Sequence, residues 1–224
     1  MSKIYKIAID GHAASGKSTS AQKIAKILNF DHINSGNIYR ALLCVYLKKY
    51  GEKSFEKGLS HEEIEFIREI RFNISDNKYF WEGMECHLRD DVIDANVSKF
   101  ASIKEIREIA NIIQKYLIST AKRGIVMDGR DIATKILPDA DLKVFMTASP
   151  KKRALRRMRE KGQGNYDEIL QEIVTRDQTD ETRQHGPLVK LPDSLLIEND
   201  ELSFDQQVDL ILKQFEKITN KKGV

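Results

Sequence analysis

The residues with the clearest chemistry lie near the start of the chain, in "GHAASGKST". Gly11, four residues, then Gly16, Lys17 and Ser18 is the spacing of a phosphate-binding loop. Such a loop wraps backbone N–H groups around an oxyanion, so it needs glycine and small residues where the backbone must come close. His12, Ala13, Ala14 and Ser15 fill the gap, and Thr19 follows. The amides from Ala13 to Thr19 are expected to face the phosphates of a nucleoside triphosphate, helped by the positive end of the helix that follows. Lys17 is expected to reach the β- and γ-phosphates, and the Ser18 hydroxyl to hold Mg²⁺.

A second set of candidates is cationic. Arg40 stands in "NSGNIYR" and Arg130 in "DGRD", each just after an apolar run. Most of the 37 basic residues must be solvated surface charges. An arginine at the end of a buried strand is costly without an anion, and its planar fork suits phosphate. "SPKKRALRRMREKGQG" (149–164) reads as a basic helix carrying Arg153, Arg156, Arg157 and Arg159. It fits a solvated face, an RNA-binding stripe, or an arginine lid hinged at Gly162 and Gly164. Arg176, Asp180 and Arg183 are spaced 4 and 3 apart and share a helical face. They form either a simple ion-pair ladder or a site for a sugar hydroxyl and a phosphate.

These residues need a scaffold. Five apolar runs read as buried strands: 4–10, 30–34, 124–129, 142–147 and 194–199. Helical periodicity follows the loop at Ala21, Ile24, Ala25, Ile27 and Leu28. It returns over 103–123, through Ile103, Ile106, Ile109, Ile113 and Leu117, and over 204–218, with Val208, Leu210, Ile211 and Phe215 inward. The alternation predicts an open parallel α/β sheet with ligands beyond the carboxyl ends of its strands. Asp10-Gly11, Asn34-Ser35-Gly36 and Asp128 to Asp131 fall at such ends. One stretch, 71–91, reads instead as short strands with turns at Asp76-Asn77 and Glu82-Gly83, a small antiparallel insertion.

The totals narrow the classes. The chain has 224 residues, 32 % charged and 41 % hydrophobic, with a formal charge of +3. That is one domain with a substantial core and too little basic excess for a general nucleic-acid binder. Two cysteines fit no disulfide framework and suit a reducing cytoplasm. No signal-peptide pattern and no membrane-length apolar run occurs. A GTPase reading lacks its N-K-x-D motif, since the near match "NKYF" (77–80) has no aspartate.

Taken in order, "IAIDGHAASGKST", "NSGNIYRAL", "LRDDVIDANVSKFASIKEIRE", "VMDGRDIAT", "ASPKKRALRRM" and "RDQTDETRQHGPLV" resemble the cytidylate kinase family of nucleoside monophosphate kinases. The likeness runs through nearly the whole chain and is far more specific than the loop alone. It implies a three-layer P-loop kinase fold over 1–224: a five-stranded parallel sheet, an antiparallel insertion in a monophosphate-binding sub-lobe (60–98), and a helical lid (151–166). It implies transfer of the γ-phosphoryl of ATP to CMP or dCMP with Mg²⁺, by a cytoplasmic monomer acting on small nucleotides, without nucleic acid or membrane. By resemblance, Ser35, Tyr39 and Arg40 help hold the monophosphate. Ser98 and Arg107 read the cytosine edge, with Asp131 beside them. Arg130 and Arg183 bind the acceptor phosphate, Arg176 and Asp180 the sugar. Arg153 and Arg157 belong to the lid, and Lys17, Arg130, Arg157 and Arg183 carry the catalysis.

The chain also departs from the family pattern. His12 stands where proline is usual and Ala14 where glycine is common. Asn34 replaces an aspartate and Asn37 an alanine. If residue 14 needs a positive φ, alanine there costs about 1 kcal/mol. The competing readings are a kinase for UMP or AMP and, from another class, a P-loop regulatory or RNA-binding protein using the basic helix. Cys86-His87 offers no ligand-quartet spacing for zinc. Cys44 and Trp81 read as packing residues and His185 as a loop residue.

Overall fold

The computed structural model describes residues 3–52, 55, 57–75, 78–162 and 164–221. The chain divides into two compact units, residues 1–34 with 118–224, and residues 35–117.

The larger unit is built on five strands: β1 (Tyr5–Gly11), β2 (Asp31–Asn34), β6 (Gly124–Gly129), β7 (Leu142–Thr147) and β8 (Leu195–Glu198). They lie in the order β2-β6-β1-β7-β8, all parallel. The five expected strands are all present, within a residue or so of the ends of their apolar runs. Helices α1 (Lys17–Leu28), α6 (Pro150–Lys161), α7 (Tyr166–Thr182) and α8 (Phe204–Lys221) complete this unit. Ile7, Ile9, Val126, Val144, Met146 and Ile197 from the strands meet Ile24, Val208, Ile211 and Phe215 from the helices in one buried cluster. Continuous apolar strands are what a sheet needs when helices bury it.

Two apolar positions correct the periodicity reading. Leu210 is 43 % exposed, because Val208, Ile211 and Phe215 already define the inward face of α8 and residue 210 points to the other side. Ile27 is 51 % exposed for the same reason on α1.

The register sets the site. Gly11 pairs with Met146, Asn34 with Asp128, and Asp10 with Gly129. The carboxyl ends of β1, β2 and β6 therefore finish side by side. Gly11 has φ 145, and a Cβ there would lie 1.9 Å from the Met146 carbonyl oxygen. Only glycine lets β1 leave the sheet at that point. Ser149 caps α6 by accepting from the Lys152 N–H, with Pro150 next to it, and Gly162 ends the helix at φ 69.

The smaller unit holds α2 (Ser35–Tyr50), α3 (His61–Glu69), α4 (Asp91–Phe100) and α5 (Lys104–Ser119). Its sheet, β3 (Asn73–Ser75), β4 (Lys78–Trp81) and β5 (Met84–Glu85), is antiparallel. Glu82 and Gly83 have φ 48 and 79, the double positive-φ turn that a two-residue hairpin favours. The other expected turn, Asp76-Asn77, lies outside the described residues. Tyr46 packs against Phe55 and Phe100 at ring separations of 5.6 and 5.8 Å, and its hydroxyl donates to Glu63 at 2.7 Å. Among the described residues no helix is long and apolar enough to cross a membrane.

Candidate functional site

The phosphate loop joins β1 to α1. Gly16 is the residue before α1 and lies in the left-handed region, at φ 84. No side chain caps α1 and no acidic residue stands in its first turn, so its N-terminal amides and positive dipole end are left to an anion. Ala14 has φ 53, so the condition for strain at this position is met, at a cost of about 1 kcal/mol. Lys17 is buried, and its ammonium donates to the His12 carbonyl at 2.6 Å and the Ser15 hydroxyl at 3.4 Å. Burial, and then the positive charge of Arg130, push its pKa well below the usual lysine value, while Asp128 and Asp180 act the other way.

Two aspartates at the strand ends do different work. Asp10 accepts from the Ile132 and Ala133 N–H groups at 2.9 and 2.8 Å, fixing the π-helical turn Ile132–Ile136. Burial raises its pKa to about 6 against those hydrogen bonds. Asp128 accepts from the Ser18 hydroxyl at 2.6 Å and lies 2.8 Å from His32 Nε2. The Asn34 amide donates to Ser18 Oγ at 2.7 Å and to Asp128 at 3.2 Å. Ser18 and Asp128 present two hard oxygens, the donor type Mg²⁺ prefers. Among the described residues no cluster of three or more His, Cys, Asp or Glu could hold a metal. Ser18 and Asp128 are the residues that would hold a magnesium ion here.

A cationic network flanks the loop. Arg130 Nε donates to Asp180 at 2.7 Å, and Arg183 Nη1 to the other oxygen of the same carboxylate at 3.2 Å. Arg183 Nε also donates to the Gly186 carbonyl at 2.6 Å. Burial alone would raise the Asp180 pKa, but Arg130, Arg176 and Arg183 hold it down at about 2. Burial opposes the charge on Arg130, yet Asp180 raises its pKa above the ordinary arginine value. The ladder of Arg176, Asp180 and Arg183 is therefore joined by Arg130 from the end of β6.

The loop backbone is braced from two sides. Arg153 donates to the Ala13 carbonyl at 3.1 Å and pairs with Asp177 at 2.5 Å, while Asp177 accepts from the Ala13 N–H at 3.3 Å. Arg156 grips Asn199, whose amide donates to the Ser15 carbonyl at 2.8 Å. His12 lies 2.9 Å from the Thr147 hydroxyl and 2.8 Å from Glu181. Arg157 is the more exposed lid candidate and lies 3.5 Å from Glu160. Sequence reasoning missed Asp177, Glu181, Asn199 and His32. Asp177 stands three before Asp180 on the same face and was findable. Asn199 gave one signal, a polar residue ending an apolar strand.

In the smaller unit Arg40 is buried and pairs with Asp94 at 2.5 Å, with Nη1 also on the Leu88 carbonyl at 3.0 Å. The Arg107 guanidinium lies 5.5 Å from the centre of the Tyr39 ring and donates to the Ala101 carbonyl at 2.9 Å. Ser35 is buried at the start of α2, and Ser98 is half-buried on α4.

The family model for cytidylate kinase matches residues 7–217. A probable cytidylate kinase of Vairimorpha ceranae (strain BRL01) is 37 % identical, covering 97 % of this chain and 100 % of the relative. A cytidylate kinase of Mycoplasmopsis synoviae (strain 53) is also 37 % identical, covering 92 % of this chain and 95 % of that one. A gluconokinase structure from Sinorhizobium meliloti 1021 superposes with a TM-score of 0.50 at 14 % identity, covering 97 % of this chain and 94 % of that one, a likeness of fold alone. The match in sequence runs through the loop, both arginine clusters and the antiparallel insertion alike, and the chain belongs to the cytidylate kinase family.

Proposed function

We infer that this protein transfers the γ-phosphoryl group of ATP to CMP or dCMP, giving ADP and CDP or dCDP. What carries the reading is one arrangement in the larger unit. An uncapped α1 N-terminus with buried Lys17 is accompanied by two arginines, Arg130 and Arg183, oriented by a single carboxylate. The first part suits a triphosphate and the second a further anion.

Phosphoryl transfer needs positioning and charge neutralisation more than covalent chemistry. Residues 11–19 bind the ATP phosphates, and Lys17 stabilises the migrating group together with Arg157 and Arg153 of the lid, 151–166. The Ser18 hydroxyl would hold Mg²⁺, with Asp128 helping to place it through water, and the ion would supply neutralisation of phosphate charge. Arg40, Arg130 and Arg183 hold the acceptor phosphate, with Ser35 and Tyr39 beside it. Arg176 and Asp180 take the sugar, and Asp180 keeps Arg130 and Arg183 oriented. Ser98, Arg107 and Asp131 read cytosine, whose exocyclic amine is a donor where uracil has a carbonyl. Buried hydrogen-bonding groups reject a base that leaves them unpaired. The sub-lobe 60–98 carries the family's insertion. We assign the enzyme to pyrimidine nucleotide metabolism in the cytoplasm, as a monomer. The two free thiols support the cytoplasmic part of this assignment.

A rate panel with ATP and Mg²⁺ tests the reading. CMP and dCMP are expected to turn over about 100-fold or more faster, as kcat/KM, than UMP or AMP. Equal or greater rates with UMP or AMP would overturn the base assignment. No transfer to any of the four, with salt-sensitive RNA binding, would overturn the kinase reading.

A further inference from the structure

The two cysteines of the chain meet in the smaller unit. Arg40, Cys44 and Lys48 stand four apart on α2, so they share one face on successive turns. The segment after β5 runs along that face. Lys48 Nζ reaches the Glu85 carbonyl at 3.5 Å and Arg40 Nη1 donates to the Leu88 carbonyl at 3.0 Å, which sets Cys86 opposite Cys44 with the two thiols within reach of a hydrogen bond. The thiol pair is the middle rung of three. The Cys86 N–H also donates to the Tyr79 carbonyl at 2.8 Å, so its backbone is fixed to β4.

We propose that Cys44 and Cys86 are an oxidation site, a dithiol that closes to an intramolecular disulfide on exposure to a hydroperoxide and fastens residues 86–88 to α2. The chemistry of the pair suits the step. The hydrogen bond from Cys86 stabilises the Cys44 thiolate, burial opposes it, and Lys48 and His87 add to it, bringing the Cys44 pKa down to about 6. Lys48, one turn further along the same face of α2, favours the thiolate at Cys44, so Cys44 attacks and Cys86 resolves. Residual exposures of 6 and 3 % exclude bulky reagents and suit a water-sized oxidant. Among the described residues no third ligand makes the pair a metal site.

The atoms balance. The Cys44 thiolate attacks one peroxide oxygen, the O–O bond breaks, and the departing hydroxide takes a proton to become water. Cys44 is then a sulfenic acid. The Cys86 sulfur attacks the Cys44 sulfur, the S–O bond breaks, and the leaving hydroxide takes the Cys86 proton as a second water. Two thiols and one hydrogen peroxide give one disulfide and two waters, with two electrons passing to the peroxide. The middle rung stands one turn from Arg40, so closing it constrains the carbonyl that receives Arg40. That consequence rests on the acceptor-phosphate role assigned to Arg40; the cross-link does not.

The test uses the purified full-length chain, reduced and then treated with hydrogen peroxide. It is quenched with N-ethylmaleimide in denaturant and weighed intact. Two maleimide adducts are expected before oxidation and none after, with a mass lower by two hydrogens, a monomer on a non-reducing gel, and recovery with dithiothreitol. Cys86→Ser should leave Cys44 as a sulfenic acid that dimedone captures. Two adducts after peroxide, disulfide-linked dimers, or sulfinic acids without a disulfide would overturn the site. In the oxidised wild type KM for CMP should change while KM for ATP does not, reversibly with dithiothreitol. A disulfide with unchanged KM for CMP would overturn the coupling to Arg40 alone.

Discussion

The two units bury their interiors with different side chains. In the larger unit the buried cluster is mostly aliphatic, with Phe215 meeting the partly buried rings of Tyr5 and Phe30 at its edge. In the smaller unit Tyr46, Phe55 and Phe100 stack on one another, and Tyr50 and Phe66 continue the contacts. A five-stranded sheet covered by helices supplies enough apolar area from valine and isoleucine. A smaller unit buries a smaller fraction of its surface, and large rings each bury a large area. The charges differ as well. The larger unit shares one buried carboxylate between two arginines, whereas Arg40 of the smaller unit has Asp94. One unit is organised around strand ends that aim polar groups; the other adds stacked rings to aliphatic helix faces that include Leu42, Leu43 and Ile106.

The contrast predicts where damage lands. Phe100→Ala removes a ring at the centre of the aromatic contacts and should cost about 3–5 kcal/mol of stability, read by denaturant unfolding. A loss under 1 kcal/mol would break the contrast. Lys17→Ala should do the reverse. Turnover should fall about 10²–10³-fold or more, about 2.7–4 kcal/mol of barrier, while the unfolding midpoint stays or rises because a buried cation beside Arg130 is gone. Unchanged turnover would remove Lys17 from the mechanism.

The smallest effect concerns Asp10 and Asp180, two of the buried aspartates of the larger unit, whose pKa values are shifted in opposite senses. The folded pKa of Asp10 is raised from 3.8 to about 6, so the folded protein holds the proton longer. Its contribution is fully present below 3.8 and is lost as pH rises through about 6, on the order of 3 kcal/mol. The folded pKa of Asp180 is lowered from 3.8 to about 2, so its contribution is present above 3.8 and is lost as pH falls toward 2. Asp10→Asn should flatten the stability profile between pH 4 and 6 and leave the slope below pH 4 intact. A wild-type profile already flat between pH 4 and 6 would show that Asp10 is not held this way.

What could be read from the chain follows the same divide. The loop, the five strands and Arg130 were legible because each is tied to a local backbone demand. Gly11 must pass the Met146 carbonyl, and Gly16 must turn left-handed into α1. Ala14 could be flagged as costly only on a condition, since a sequence does not print φ. Apart from Asp177, the braces of the loop were not legible. Asn199 to Ser15 and His12 to Glu181 join residues far apart in the chain, and no spacing rule reaches that distance. In the smaller unit the hairpin was readable from Glu82-Gly83, but Arg40 with Asp94, and the meeting of Cys44 with Cys86, depend on how α2 packs. Leu210 and Ile27 show the limit of periodicity, which counts an apolar residue before knowing which side the core takes.

The most direct test is a crystal structure of the protein with CMP bound. The account predicts the phosphate oxygens of CMP within hydrogen-bond distance of both Arg130 and Arg183, with Asp180 still holding the two guanidinium groups. A CMP phosphate away from both arginines, with Asp180 still paired to the two guanidinium groups, would contradict it.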